Sequence, residues 1–221
     1  MSASTGADST RDRIVTAATA EFSRHGIAGA RIERIAKAAR TSKERLYAYF
    51  RSKEDLYEAV TVQELTAIAE ATRLDPTDLP AYAGRVHDYF IAYPERLRLM
   101  NWGRLELVDG PTSNLDDPLH ASVRRKTEQL RDAQKAGHLD PAWDPADILT
   151  FVSQLALSWA SQTDLMPADE KDRASFLAAR RAAIVTAVQR LFPAATVQSS
   201  KATPGRPNNG RDGGYTSSGA R

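Results

Sequence analysis

The sequence contains no cysteine among its 221 residues. This absence excludes disulfides, thiolate nucleophiles and cysteine-ligated zinc, and it leaves no argument for an oxidising compartment. Long apolar runs are also missing: no stretch approaches the roughly 20 apolar residues of a membrane-spanning helix, and the polar N-terminus lacks the apolar core of a signal peptide. We therefore expect a soluble, cytoplasmic protein with no membrane partner.

The sequence signatures of common enzymes are absent as well. The chain has no Gly-x-Gly-x-x-Gly pattern, no glycine-rich phosphate loop and no Gly-x-Ser-x-Gly nucleophile elbow. Its four histidines do not occur in the His-x-x-x-His spacing that is typical of a metal site. We predict no catalytic residue, no cofactor and no metal, and hence a protein that is not an enzyme.

Charge is distributed unevenly along the chain. Residues 1–57 contain 11 Lys/Arg and 7 Asp/Glu, residues 58–197 contain 15 and 20, and residues 198–221 contain 4 and 1. A basic N-terminal third followed by an acidic body suggests that a polyanion would meet the N-terminal end. The difference is small, so this pattern gains weight only if a motif supports it.

The first helix is predicted from its two ends. Ser9 begins a Ser-x-x-Asp capping box, apolar residues recur at helical spacing as far as Phe22, and Gly26 supplies a stop. These signals predict a helix over about 10–25, preceded by a disordered segment at residues 1–8.

Two short helices should follow. Apolar residues at Ile32, Ile35, Ala36 and Ala39 predict a second helix of barely two turns, too short to be stable without packing on its neighbours. A third helix over 43–49 begins after either Thr41 or Ser42, since both have cap-forming side chains and the sequence does not choose between them.

The rest of the chain is predicted to be helical. A further capping box begins at Ser52 and opens a longer helix that ends before Asp75-Pro76. Beyond Pro80, the intervals between prolines and glycines suit helices rather than strands. The final segment, 198–221, is rich in Gly, Ser, Pro and Asn, so we expect a disordered tail. The fold class is therefore all-α, with further helices near 79–92, 94–108, 118–136, 145–162 and 168–191.

Three short helices within 50 residues, with a turn of about three residues before the last, match the layout of a helix-turn-helix. In that arrangement the third helix enters the major groove and the other two support it. Lys43 and Arg45 can then reach guanine edges or phosphates, and the hydroxyls of Ser42, Tyr47 and Tyr49 can donate to phosphate oxygens. The alternative is that these are solvated charges and that both tyrosines are half-buried core residues.

Two further predictions concern the borders of the third helix. Leu46 and Phe50 should face inward. Lys53 stands at the start of the fourth helix, where free N–H groups and the helix dipole already favour a phosphate. We therefore expect Lys53 to bind the DNA backbone.

The segment from Ile35 to Leu56 contains an Ile-Ala pair, a short turn, a Ser, then Leu-Tyr-x-aromatic-Phe and Ser-Lys-Glu-x-Leu. A Phe-x-x-x-Gly pattern from Phe22 to Gly26 precedes it. Together these residues closely resemble the signature of the tetracycline-repressor (TetR) family, over about residues 10–60. The resemblance implies that Tyr47 and Lys53 contact phosphates and that the third helix reads bases of double-stranded operator DNA.

Two positions depart from the family pattern. Arg40 stands where the family commonly has the turn glycine, and Arg31 stands where a Thr or Ser commonly opens the second helix. Each arginine would either add a phosphate contact or be an exposed solubilising charge. Glu44, which replaces a frequent small residue, would either accept from cytosine or cap. The predicted DNA-binding residues are Arg31, Arg40, Thr41, Ser42, Lys43, Arg45, Tyr47, Tyr49 and Lys53.

The resemblance also implies the domain organisation. A three-helix helix-turn-helix domain at 9–55 precedes a helical effector-binding and dimerisation domain at 56–197. The last two helices carry apolar residues at helical spacing, and in the family they form a four-helix homodimer interface, which a two-fold operator requires. The alternative for either helix is an intramolecular core face.

An effector pocket needs apolar walls and a few polar handles. The expected effector is small and apolar or amphipathic, and its binding would shift the dimer away from the operator-binding conformation, as expected of a repressor. Two alternatives stay open: these side chains are plain core or surface residues, or the domain has no effector and only dimerises. The predicted effector residues are Phe90, Met100, Trp102, Glu106, Phe151, Gln154 and Trp159.

Overall fold

The computed structural model describes residues 4–106 and 118–193, and these residues form α-helices joined by short turns, with one 3-10 turn at Thr163–Leu165. No strand occurs in these two ranges, so the predicted all-α fold class is confirmed. The helices are α1 (Ser4–Gly29), α2 (Ile32–Ala38), α3 (Lys43–Tyr49), α4 (Lys53–Ala71), α5 (Leu79–Ala92), α6 (Pro94–Glu106), α7 (Pro118–Lys135), α8 (Pro145–Leu157) and α9 (Glu170–Leu191).

Helix α1 begins earlier than predicted. It starts at Ser4, inside the segment predicted to be disordered, so Ser9 lies within the helix and is not its cap. No proline occurs between these two residues to stop the helix from extending upstream. The predicted stop is confirmed, because Gly26 has φ 70° and ψ −178° and interrupts the helical run before one last turn.

Helices α3 and α4 begin at serine caps. The Ser42 hydroxyl accepts a hydrogen bond from the Arg45 N–H at 3.1 Å, which resolves the choice between Thr41 and Ser42. The Ser52 hydroxyl accepts from the Asp55 N–H at 3.0 Å, and the Asp55 carboxylate accepts from the Arg51 N–H at 2.8 Å. These bonds satisfy N–H groups that have no partner within a helix.

The buried side chains form two cores. The N-terminal core joins α1, α2, α3 and the first turns of α4, and it also includes Leu99 from α6. The body core joins α5, α7, α8 and α9 with Leu97 of α6 and with Ile68 near the end of α4. Helix α4 therefore contributes Leu56 to one core and Ile68 to the other.

The helices of the body follow the prolines, with some differences at their ends. Helix α8 ends at Leu157, five residues before the predicted end, and the chain continues in tighter turns in which Ala160 and Gln162 donate to carbonyls three residues back. Helix α9 begins after Asp169, whose carboxylate accepts from two backbone N–H groups. The predicted tail, 198–221, lies outside the described residues. Within the described ranges, no helix is both long and apolar enough to cross a bilayer.

Candidate DNA-binding surface

The turn between α2 and α3 has a left-handed residue at its centre. Arg40 has φ 53°, a conformation that favours glycine. Its N–H donates to the Lys37 carbonyl at 3.2 Å, and the Thr41 N–H donates to the Ala36 carbonyl at 3.0 Å. This hydrogen-bond pair is the Schellman ending of a helix, which holds Arg40 in place. The turn therefore has the left-handed geometry that a glycine would favour, although an arginine occupies the position.

Helix α3 turns its cations and one tyrosine outward. Leu46 and Phe50 are buried in the N-terminal core, as predicted, whereas Lys43 and Arg45 are exposed. The two tyrosines differ: the Tyr47 side chain is 43% exposed, while Tyr49 is half-buried against the N-terminal core. The core alternative thus describes the environment of Tyr49 but not that of Tyr47.

An ion pair ties α3 to α2. The Lys43 Nζ lies 2.6 Å from the Glu33 Oε1, and both side chains are exposed. Because of the hydrogen bond and charge of Glu33, the pKa of Lys43 is raised, and the same contact lowers the pKa of Glu33. In the chain alone, a carboxylate from α2 therefore holds the first cation of α3.

Lys53 lies beside the first turn of α4 and reaches back to the end of α1. Its Nζ donates to the carbonyl oxygen of Ala28 at 3.2 Å. An ammonium group has three N–H donors, so this bond leaves donors for a phosphate. The contact fixes where Lys53 stands relative to α1.

Helix α2 is capped by a carboxylate from α1. The Arg31 side chain makes no cap hydrogen bond, but its N–H donates to the Glu21 Oε1 at 3.0 Å. The Arg34 Nε donates to the same oxygen at 2.7 Å. Burial acts to raise the pKa of Glu21, but the bonds from Arg34 and Arg31 outweigh it, and the pKa is lowered. Glu21 thus fixes the start of α2 through the backbone N–H of the cap residue, and it leaves the exposed Arg31 side chain available.

Two of these supporting residues were not predicted. Glu21 accepts from the Arg31 N–H, ten residues further along the chain. The Arg13 Nε donates to the Ala39 carbonyl, 26 residues away, at 3.1 Å. Sequence motifs describe spacings of three or four residues, so no local pattern pointed to either contact. Both show α1 supporting the helix-turn-helix from behind.

The seven predicted effector residues lie in separate places. Phe90 is buried in the body core, and Met100 is half-buried on α6. Trp102 and Glu106 lie against the end of α1 instead of facing the body core. Gln154 is exposed on α8.

The aromatic members on α8 and just after it have other ring partners. Phe151 packs edge-on against Trp143, and Trp159 packs edge-on against Phe176. Phe151 is exposed, because α8 turns the face of Ile148, Val152 and Ala156 to the core. The described contacts therefore do not bring the seven side chains into one lining, and their effector role stays a prediction.

Both halves of the chain match known families. Residues 14–60 match the family described as bacterial regulatory proteins, tetR family, and residues 78–190 match the tetracyclin repressor-like C-terminal domain. The two matches follow the two cores of the structure.

Individual relatives agree with the family matches. The chain is 37% identical over 153 residues to the HTH-type transcriptional repressor SCO4008 of Streptomyces coelicolor, covering 69% of this chain and 79% of that protein. It is 35% identical over 133 residues to the repressor NicS of Pseudomonas putida, covering 57% and 56%. The crystal structure of transcriptional regulator SCO4942 from Streptomyces coelicolor is 52% identical, covers 84% of this chain and 99% of that chain, and superposes with a TM-score of 0.69.

These matches explain the geometry of the N-terminal region. The N-terminal match, residues 14–60, covers α2, α3 and the start of α4, and it is a match to a family of DNA-binding regulators. The prediction of a DNA-binding regulator rather than an enzyme is confirmed. The chain belongs to the TetR family of bacterial transcriptional regulators.

Proposed function

We propose that the chain acts in the cytoplasm as a repressor that binds a palindromic operator as a homodimer and releases it when a small apolar or amphipathic effector binds. The observation that carries the DNA-binding part is the exposed face of α3, with Lys43, Arg45 and Tyr47 outward and Leu46 buried beneath them. Relatives called repressors support the direction of regulation.

The residues divide by what they would contact. Lys43 and Arg45 lie on the helix that enters the major groove, where they can donate to guanine. Tyr47 and Lys53 bind phosphates, and these contacts set the register of the helix on the duplex. The remaining proposed contacts flank them around the turn: Arg31, Arg40, Thr41, Ser42 and Tyr49.

Dimerisation through the last two helices is supported by their exposed apolar side chains. Phe151 on α8 and Leu191 on α9 are each 43% exposed, whereas Val152 and Val188 on the same helices are buried in the body core. Apolar side chains on the outer faces of two neighbouring helices favour burial against a second copy. A two-fold dimer would then present two α3 helices to two half-sites about one helical turn apart.

A regulator without an effector is the second candidate. It is favoured by the separation of the predicted effector residues. Trp102 and Glu106 on α6 pack against the end of α1, whereas Phe151 lies on the outer face of α8. In that case the body would serve only dimerisation. Operator affinity that does not change with any metabolite tested would support this candidate over the first.

The DNA-binding part is tested by selecting genomic duplexes with the purified full chain and titrating the selected duplex by fluorescence anisotropy at two salt concentrations. A scrambled duplex is the control for sequence. We expect Lys53→Ala and Tyr47→Phe each to weaken binding about tenfold, since each removes a phosphate contact. Lys135→Ala, an exposed lysine on α7, is the matched control and should bind like the wild type. Equal and steeply salt-dependent binding to both duplexes would contradict the proposal.

A further inference from the structure

The second half of α6 packs on the N-terminal region. Leu99 is buried in the N-terminal core, and its carbonyl accepts a hydrogen bond from the Tyr57 hydroxyl at 3.0 Å. Gly103 lies directly under the same hydroxyl, where a Cβ atom would overlap it. Helix α6 is thus attached to the helices that carry the DNA-binding face.

The end of α6 holds the last turn of α1. The Glu106 Oε2 accepts a hydrogen bond from the Ala28 N–H at 2.7 Å. At Gly26, two residues earlier, a Cβ atom would overlap the Glu106 carboxylate and come within 3.1 Å of the Trp102 ring. Gly26 therefore has two reasons to be glycine: its φ of 70°, and the close approach of α6.

The residue that Glu106 holds also holds Lys53. The Ala28 N–H donates to Glu106, and the Ala28 carbonyl accepts from the Lys53 Nζ at 3.2 Å. These two bonds join positions 78 and 25 residues apart in sequence. A hydrogen bond to an ionised carboxylate is short and stronger than a neutral one, so the contact at Ala28 is well suited to fix this segment.

The other end of α6 is attached elsewhere. Near its start, the Arg96 Nε lies 3.1 Å from the Glu64 carboxylate of α4, and the Arg96 guanidinium also donates to the Tyr89 hydroxyl of α5. Helix α6 therefore runs from a polar contact at the body to the Ala28 backbone, and displacement of α6 along its axis would change the position of Ala28.

We infer that Glu106 is a positioning residue for operator binding: through the Ala28 backbone it sets where Lys53 stands to meet a phosphate. The inference rests on the proposed DNA-binding role of Lys53. Glu106 needs no contact with DNA for this role, and it acts only through the segment that Lys53 reaches.

The test is a double-mutant cycle on operator affinity with the full chain and the duplex selected by the wild type. We expect Glu106→Ala to weaken binding about tenfold and to lower the salt slope by about one, as Lys53→Met does, because both remove the same phosphate contact. The double variant should bind no more weakly than Lys53→Met alone. Glu106→Gln retains an acceptor for the Ala28 N–H and should bind close to the wild type.

Two controls separate positioning from simple loss of structure. Circular dichroism melting shows whether each variant is folded, and the comparison of Glu106→Ala with Glu106→Gln separates loss of the hydrogen-bond acceptor from loss of the charge. Glu128→Ala, an exposed carboxylate on α7, should leave both affinity and salt slope unchanged.

Three results would overturn the inference while leaving the proposed function intact: wild-type affinity in Glu106→Ala, losses that multiply with those of Lys53→Met, or tighter binding in both Glu106 variants. Absence of any sequence preference in the wild type would overturn the proposed function and, with it, this inference.

Discussion

The N-terminal region and the body differ in what lies beneath their exposed side chains. Around the helix-turn-helix, side-chain oxygens of Glu21, Ser42 and Ser52 hold backbone N–H groups, so the exposed cations stand on a frame fixed within one chain. On the body, exposed rings such as Phe151 contact other rings, here Trp143, and leave apolar surface outward. The first surface is complete in one chain, whereas the second favours a partner.

The largest expected effect concerns the N-terminal core, which supports the proposed DNA-binding face. Phe22→Ala removes a fully buried ring that packs edge-on against Tyr57, and we expect it to lower the free energy of unfolding by about 3–5 kcal/mol. Chemical denaturation followed by circular dichroism measures this loss. Phe151→Ala, an exposed phenylalanine of the body, is the matched control for folding of the chain. Equal losses in both variants would contradict the comparison.

The next largest effect concerns the partner of the body. Leu191→Asp places a charge on the proposed apolar dimer face and should raise the dimer dissociation constant by at least about tenfold. Sedimentation equilibrium measures this constant, and helix content should stay unchanged because Leu191 is partly exposed. Val62→Asp changes a valine of similar exposure on α4 and should leave the dimer intact. A dimer that tolerates Leu191→Asp would place the interface elsewhere.

A smaller and opposite effect is expected at the turn. Arg40→Gly removes the cost of a left-handed non-glycine residue and should raise the free energy of unfolding by about 1 kcal/mol. Operator affinity should fall in the same variant if the arginine binds a phosphate. Thermal melting and anisotropy on one protein preparation separate the two effects, and Arg40→Ala shows the loss of charge without the gain in backbone freedom. Lower stability in Arg40→Gly would contradict the conformational argument.

Removing Glu33 should strengthen DNA binding by a few-fold. Glu33→Gln removes a negative charge beside α3, the proposed reading helix, and releases Lys43 from its ion pair. Anisotropy titration of the selected duplex at low salt is the measurement, with Glu128→Gln on α7 as the control for net charge. Weaker binding in Glu33→Gln would mean that the ion pair orders Lys43 for DNA.

The smallest effect is a pH dependence at the junction of α4 and α6. Burial raises the pKa of the Glu64 carboxyl, although the charge of Arg96 acts against it. A carboxyl whose pKa is raised by folding stabilises the folded state at low pH. That contribution is lost as the pH rises from 4.5, the pKa of the carboxyl in the unfolded chain, through its higher pKa in the folded chain. Glu64→Gln should therefore become more stable relative to the wild type over this interval. Denaturant titrations at several pH values measure the difference, and a decline in it with pH would contradict the assignment.

The sequence predicted the features that depend on near neighbours. The serine cap of α4, the stop at Gly26 and the inward positions of Leu46 and Phe50 all follow from spacings within one or two turns. For α3 the sequence narrowed the cap to Thr41 or Ser42, and the structure selects Ser42. For the same reason the site of the turn was predicted, although its left-handed Arg40 was not.

The features that were missed depend on contacts between distant segments. Nothing near Glu21 indicates that it caps α2, and nothing near Glu106 indicates that it holds Ala28. Helical spacing also did not decide which face of α8 is buried: Phe151 and Val152 both belong to the apolar pattern, but Phe151 is exposed and Val152 is buried. Sequence periodicity reports that a helix has an apolar face; packing decides which face it is.

Helix α4 belongs to both cores, so a rotation of the helix at its body end displaces its other end. Its 19 residues extend about 28 Å at 1.5 Å per residue, with Lys53 at one end and Ile68 in the body core near the other. A tilt of about 10° around the body end would move Lys53 by roughly 5 Å, which exceeds the 3.4 Å rise of one base-pair step. In the proposed dimer, a modest rearrangement inside the body would therefore move both α3 helices relative to their half-sites.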